Sequence, residues 1–321
     1  MKNQFTNVVA SGVWILLVSL FCSSAEAGNR SGSVTAQFLK IPANARAAAM
    51  GNAQAALGEG ALSIAFNPAG TLSVENVSFG ATYNAWYADI THSFFAVAAR
   101  IPDLGTIGLG VTLLSTDDMA VTTPLSPEGT GEFFKALDIA YTLSYSRQIS
   151  DMFGLGLSIK YITSSFPGIH DAGGTKIGTN TIAFDVGTLY DIPALRTRLG
   201  ISVNNLGRDL KYINEQYSIP TALRFGARTS IYEEEDHRVY AAFQIGRPND
   251  SDEQYNMGFE YTYQNMVSLR TGYKFNYDTE NWCGGVGVSL SRLGIQGTLD
   301  YSYTNYKYLP GTHMFSTEIG F

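Results

Sequence analysis

The stretch Val267-Ser268-Leu269-Arg270-Thr271-Gly272-Tyr273-Lys274-Phe275 alternates without a break. Val267, Leu269, Thr271, Tyr273 and Phe275 fall on one side; Ser268, Arg270, Gly272 and Lys274 fall on the other. Period two is the period of a β-strand, whose successive side chains point to opposite faces. The run also has the length of a tilted membrane strand, ~9–11 residues with apolar groups outward and polar or small groups inward.

Working outward, the same pattern recurs. Val77, Phe79, Ala81 and Tyr83 alternate with Ser78, Gly80, Thr82 and Asn84; Ile107, Leu109, Val111 and Leu113 with Gly108, Gly110 and Thr112; Phe153, Leu155, Leu157 and Ile159 with Gly154, Gly156 and Ser158. Strands are expected to begin near Val77, Ser93, Thr106, Asp138, Phe153, Thr179, Arg198, Pro220, His237, Tyr255, Val267, Trp282, Gly294 and His313. Their connections sort by parity. After even-numbered strands the links are short, as in Pro102–Gly105 or Arg292-Leu293. After odd-numbered strands most are long: Ser115–Leu137, Ile162–Gly178, Leu206–Ile219, Gly246–Gln254 and Thr304–Thr312. Short turns on one rim and long loops on the other are how bacterial outer-membrane barrels are built. A secreted soluble β protein, the competing reading, has no reason to sort its loops. The expected fold is therefore all-β: a 14-stranded antiparallel transmembrane β-barrel over residues 77–321. An even strand number puts both termini on the short-turn, periplasmic side.

Composition agrees. Of 321 residues 45% are hydrophobic and only 15% charged, where soluble domains carry about 25%. The net charge of −7 excludes a nucleic-acid partner, whose phosphates need a basic face. At the start, Lys2, an apolar run from Val8 to Cys22 and Ala25-Glu26-Ala27 describe a signal peptide, residues 1–27, cut after Ala27. The chain ends in alternation up to Phe321, the kind of C-terminal strand signal read during outer-membrane assembly. Tyr and Trp near strand ends, including Tyr161, Tyr263, Tyr277 and Trp282, fit interfacial girdles.

Residues 28–76 do not alternate. They hold an Ala-rich helical run, Asn44–Leu57, then Glu59–Phe66, then Asn67-Pro68-Ala69-Gly70. Fourteen strands enclose more space than their own side chains fill. A small-residue helical segment is the expected plug, and inward Gly108, Gly110, Gly154, Gly156 and Gly287 leave room for it. Pro68 keeps Asn67 out of helical geometry, so the tetrapeptide is expected to end a helix. Strand-borne charges on the polar parity, Asp138, Arg224, Arg228, Arg238, Glu260, Arg270, Lys274, Asp300 and Glu318, are expected to face the lumen. There they form a charge network, because pointing Arg or Lys at lipid costs ~2–4 kcal/mol each.

No motif calls for catalysis, a metal or a cofactor. The histidines, His92, His170, His237 and His313, lack ligand spacing, and Gly284-Gly285-Val286-Gly287 lacks the helix and Lys of a phosphate loop.

Ala36-Gln37-Phe38-Leu39-Lys40-Ile41, then Ala45-Arg46-Ala47-Ala48-Ala49-Met50-Gly51-Asn52-Ala53, then Phe66-Asn67-Pro68-Ala69-Gly70, resemble the start of the PorV/PorQ family. That family is one branch of a FadL-like superfamily of fourteen-stranded outer-membrane barrels with an N-terminal plug. The resemblance implies a place in type IX secretion: binding cargo by its C-terminal signal domain and passing it to the attachment machinery. The FadL-like branch implies instead transport of hydrophobic small molecules. Either implies outer-membrane lipid, lipopolysaccharide and the barrel assembly machinery as partners. Where family members often carry paired Asp before the Asn-Pro-Ala element, this chain reads Gly58-Glu59-Gly60-Ala61-Leu62-Ser63.

Overall fold

The computed structural model describes residues 32–170, 176–212 and 215–321. The expected signal peptide lies outside the described residues. Fourteen antiparallel strands close into one barrel: β1 (Val77–Ala85), β2 (Thr91–Ile101), β3 (Gly105–Ser115), β4 (Leu137–Ser150), β5 (Phe153–His170), β6 (Lys176–Ile192) and β7 (Thr197–Gly207). The second half comprises β8 (Ala222–Glu233), β9 (His237–Pro248), β10 (Gln254–Tyr263), β11 (Val267–Phe275), β12 (Glu280–Ser289), β13 (Gln296–Tyr306) and β14 (Thr312–Gly320). Each strand pairs with its sequence neighbours, and β1 pairs with β14 to seal the cylinder. At the seam Val77 and Phe321 exchange backbone hydrogen bonds, and Phe79 meets Phe321 edge to face, centroids 6.0 Å apart.

The alternation decides which face is which. On β11, Leu269, Tyr273 and Phe275 are exposed on the outside, while Arg270 and Lys274 are buried within. A closed barrel satisfies every ladder hydrogen bond internally, which allows strands to sit in a dry medium. The largest displacement of a strand start from expectation is at β6, which begins at Lys176 rather than Thr179.

One connection differs in kind. The stretch expected as the loop Ile162–Gly178 is mostly ladder: β5 and β6 run for 18 and 17 residues, with Ser165 still opposite Gly178. Apolar periodicity stops where the apolar surroundings stop, but Thr163 and Thr181 remain good strand residues. The β3–β4 connection carries a small hairpin, Met119–Ala120 with Phe133–Phe134; the β7–β8 connection carries another, Leu210–Tyr212 with Glu215–Tyr217.

Residues 32–76 pack against the inner wall. The expected single run Asn44–Leu57 is two helices, α1 (Ala45–Ala49) and α2 (Gln54–Leu57). Asn44 caps α1, its side-chain oxygen accepting from the Arg46 N–H at 2.8 Å. The break falls at Gly51 and Asn52, both left-handed with φ of 70° and 66°. Glycine permits this and Asn tolerates it. Ala61–Ala65 and Pro68–Ser73 are 3-10 turns.

The wall supplies the space. A Cβ at Gly156 would strike the Pro68–Ala69 backbone, at Gly187 the Asn67 side chain, at Gly200 the Ala55 carbonyl, and at Gly258 or Gly272 the Met50–Gly51 backbone. Gly108 meets Ile64 and Gly154 meets Leu72, whereas Gly287 admits the Arg270–Asp300 pair rather than the N-terminal segment.

The direction of this segment follows from its contacts with the two rims. Val77 and Phe321 lie on the short-turn rim. Val34, however, bridges Ser218 in the β7–β8 connection, and Lys40 pairs with Asp250 in the β9–β10 connection. Both connections belong to the long-loop rim. The described residues therefore start at that rim and descend through the barrel to β1.

Candidate functional site

Two features join the N-terminal segment to the wall. The first is Asn67-Pro68-Ala69-Gly70. Asn67 is fully buried and extended, its Oδ1 accepting from the Ala69 N–H at 3.1 Å. Its Nδ2 donates to the Ala55 carbonyl at 2.6 Å and to the Thr188 carbonyl of β6 at 3.2 Å. One side chain thus caps a turn, ties it to α2 and ties both to the barrel. Pro68 occupies the first turn position, where its missing N–H costs nothing. Ala69 is fully buried, and Gly70 packs on the Gly58 carbonyl and Ser63. The tetrapeptide, expected to end a helix, also begins one.

The second is a chain of alternating charge crossing the lumen. Arg46 grips Glu260 of β10 through two bonds, Nε to Oε2 at 2.8 Å and Nη2 to Oε1 at 2.7 Å. Glu260 also accepts from Arg270 of β11 at 2.6 Å, and Arg270 donates to Asp300 of β13 at 2.5 Å. On its other side Arg46 reaches Glu59 at 2.9 Å, and Glu59 meets Arg228 of β8 at 2.5 Å and Arg198 of β7 at 3.3 Å. Arg198 continues to Asp191 at 2.7 Å. Burial alone would raise the Glu59 carboxyl; the charges of Arg228, Arg46 and Arg198 outweigh it and hold it down at about 2. Glu59 occupies the very stretch where the paired Asp of the family resemblance are missing.

The other expected lumen charges sit apart from this chain. Arg224 donates to Asn204 at 2.6 Å and lies over the Phe66 ring, so it also touches the N-terminal segment. Glu318 accepts from Ser78 at 2.6 Å and from the Ala61 N–H at 2.5 Å. Lys274 is buried against Glu280 beside Tyr277. Tyr277, expected in the interfacial girdle, instead bonds Asn256 inside at 2.9 Å. Asp138 stands opposite Ser164 near the long-loop rim. Arg238 pairs with Glu233 at 3.4 Å on the short-turn rim, both side chains about 40% exposed, and so leaves the lumen network. Sequence reasoning missed Arg46, Glu59, Arg198, Gly187, Gly200, Gly258 and Gly272. Arg46 and Glu59 lie off the strands, whereas Arg198 sits at the start of β7, and the glycines fall on the same inward parity as those it did find.

The two rims differ. On the short-turn side a cavity of about 600 Å³ runs up to the charge chain, lined by Arg46, Glu59, Val74, Arg228, Asp300 and Phe321 among others. On the long-loop side Phe38 and Leu39 fill an apolar nest of Ala140, Ile162, Ala183, Leu210 and Ile219. Above it the β5–β6 hairpin and the β3–β4 loop lean together, the Lys135 N–H donating to the Pro167 carbonyl at 3.1 Å, with Phe133 and Leu125 exposed.

A closed fourteen-strand antiparallel barrel around its own N-terminal segment has the architecture of an outer-membrane barrel. Many solved structures share the fold, and three illustrate it. The toluene transporter TodX of Pseudomonas putida has 13% identity and a TM-score of 0.61, covering 87% of this chain and 97% of that one. The toluene transporter TbuX of Ralstonia pickettii has 15% identity and a TM-score of 0.60, covering 88% and 99%. A FadL homologue of Pseudomonas aeruginosa has 11% identity and a TM-score of 0.54, covering 91% and 99%. At such identity they show the fold alone. No curated protein matches the chain. The family model described as type IX secretion system protein PorV matches residues 24–248, and the chain belongs to that family.

Proposed function

We propose that this protein serves type IX secretion by binding cargo proteins through their C-terminal signal domains on its long-loop rim and passing them to the attachment machinery. In this reading the long-loop rim faces outward and the short-turn rim, with Phe321, faces the periplasm. Residues 1–27 are removed on export, residues 28–76 act as the plug, and Phe321 belongs to the signal read by the barrel assembly machinery. Lipid and lipopolysaccharide surround the apolar outer face. The observation that carries the reading is the occupied lumen: with backbone against backbone at Gly156, Gly200 and Gly272, a folded cargo domain has only the rims to contact. The test is purification from native outer membranes in mild detergent with identification of co-purifying proteins. Cargo carrying the type IX C-terminal signal is expected; recovery without any such protein contradicts the proposal.

A second reading, uptake of hydrophobic small molecules, draws on the apolar nest beneath the long loops. It requires Phe38 and Leu39 to vacate that nest. Under it, Asn67→Ala or Pro68→Ala slows ligand uptake, while loss of the outer loops leaves uptake unchanged.

A further inference from the structure

The β3–β4 connection is a ribbon with one edge covered and one edge open. Within it Met119 pairs with Phe134 and Ala120 with Phe133. The pairing runs on at either side: the Val121 N–H donates to the Glu132 carbonyl at 2.9 Å, and the Thr116 N–H to the Ala136 carbonyl at 3.1 Å. Successive residues of a strand turn their N–H and C=O to opposite edges. With Val121 bonded across the ribbon, Asp118, Ala120 and Thr122 turn theirs outward. On the other edge the tip of β5 covers the ribbon, the Lys135 N–H donating to the Pro167 carbonyl at 3.1 Å. Among the described residues no strand lies beside residues 118–122 on their outward side. Neither Asp118 nor Thr122 makes a backbone hydrogen bond there, and all three outward residues are exposed. Exposed edges are ordinarily blunted by Lys or Pro on the edge itself. This one reads Asp118-Met119-Ala120-Val121-Thr122, with Pro124 and Pro127 only beyond it.

We propose that this open edge takes up an extended, basic segment of a partner polypeptide as an added strand. The backbone groups of Asp118, Ala120 and Thr122 supply a ladder that any extended chain can match, and side chains then select among chains. Charge selects a basic one. Residues 116–136 carry Asp117, Asp118, Glu128 and Glu132 against one cation, Lys135, which lies 3.5 Å from Asp118. An acidic strand meets repulsion along this edge, whereas Lys or Arg opposite Asp118 forms a cross-strand pair. Ala120 and Phe133 stand opposite each other and share a face, where Phe133 is 58% exposed. An apolar residue two positions from the basic one lies beside Ala120 on that same face. The fitting segment is therefore basic-x-apolar. The edge belongs to the long-loop rim, and on the function proposed above the segment comes from the cargo's C-terminal signal domain; the partner's identity rests on that function.

The test titrates the full-length protein in detergent against a rhodamine-labelled peptide, Lys-Thr-Val-Thr-Lys-Thr-Val, followed by fluorescence anisotropy. Saturable binding is expected. It should weaken tenfold or more when Glu replaces Lys, and likewise when Pro replaces Thr, which keeps the charge but cannot join a ladder. Ala120→Pro with Thr122→Pro removes the outward N–H groups, a change an edge strand tolerates, and is expected to weaken binding as much. Asp117→Asn with Asp118→Asn keeps the backbone edge, is expected to weaken binding several-fold, and serves if the proline variant fails to assemble. No saturable binding, equal binding of the proline peptide, or undiminished binding in these variants overturns the proposal. In native outer membranes the proline variant is expected to lose its co-purifying cargo, and cargo retained at the intact level overturns the proposal too. Absence of cargo from the unaltered protein instead contradicts the proposed function, while peptide binding still reads the edge.

Discussion

Glu59 shows how a residue off the strands can organise a barrel interior. Its carboxylate meets three guanidinium groups, from Arg46 and from two strands, at 2.5 to 3.3 Å. A carboxyl held below its ordinary value stabilises the folded state above that value, and the contribution is lost as pH falls through the folded one. The window thus runs from about 4.3 down to about 2. In it, protease sensitivity of residues 32–74 is expected to rise as acid is added, and Glu59→Gln is expected to remove that pH dependence. A flat profile for the native protein would contradict the role given to Glu59. Arg270→Ala leaves Glu260 and Asp300 buried with one cation fewer, a change worth ~3–5 kcal/mol for a buried ion pair; detergent melting should show the loss. The sequence displayed Glu260, Arg270 and Asp300 through strand parity, and Asn67-Pro68-Ala69-Gly70 through its turn chemistry. It did not display Arg46 and Glu59 as partners, because their meeting depends on how deep α1 sits in the lumen. Arg238 shares the parity of the buried charges yet reaches solvent, since parity fixes a face and not a depth.

Short helices that could not stand alone are held here by what surrounds them. α1 and α2 have 5 and 4 residues, far below the ~12–15 at which an isolated helix is even marginal. Ala45, Ala49 and Ala55 are fully buried, and inward glycines bring strand backbone within reach of them. Deleting residues 32–74 is therefore expected to leave a barrel that still inserts, because no strand is lost, but that conducts ions in planar bilayers. Conductance no higher than that of the intact protein would show that the segment does not close the lumen. A milder change reads the same interface: Gly200→Val places a branched side chain against the Ala55 carbonyl and should lower the melting temperature without altering strand content by circular dichroism. Among the elements, the strands were legible because lipid demands apolar residues at every second position. The breaks at Gly51 and the extension of β5 and β6 were not, since neither the lumen nor the space beyond the membrane imposes such a rule.

At the scale of the whole molecule, closure of β1 on β14 leaves no free edge, so the barrel should resist detergent and migrate differently in unheated and boiled gel samples. Recovery as a soluble monomer from the periplasm would contradict the fold. Closure around a filled lumen sends any protein partner to the rims, and the long-loop rim offers the larger one: the 18- and 17-residue hairpin strands and the β3–β4 loop packed beside them. The most direct measurement is cargo co-purification from cells expressing a variant in which residues 116–136 and the β5–β6 tip beyond Ser165 are replaced by tight turns. Heat-modifiable migration confirms that the trimmed barrel has assembled. Type IX cargo is expected to co-purify with the intact protein and no longer with the trimmed barrel; cargo retained at the intact level by the trimmed barrel would contradict binding at the long-loop rim.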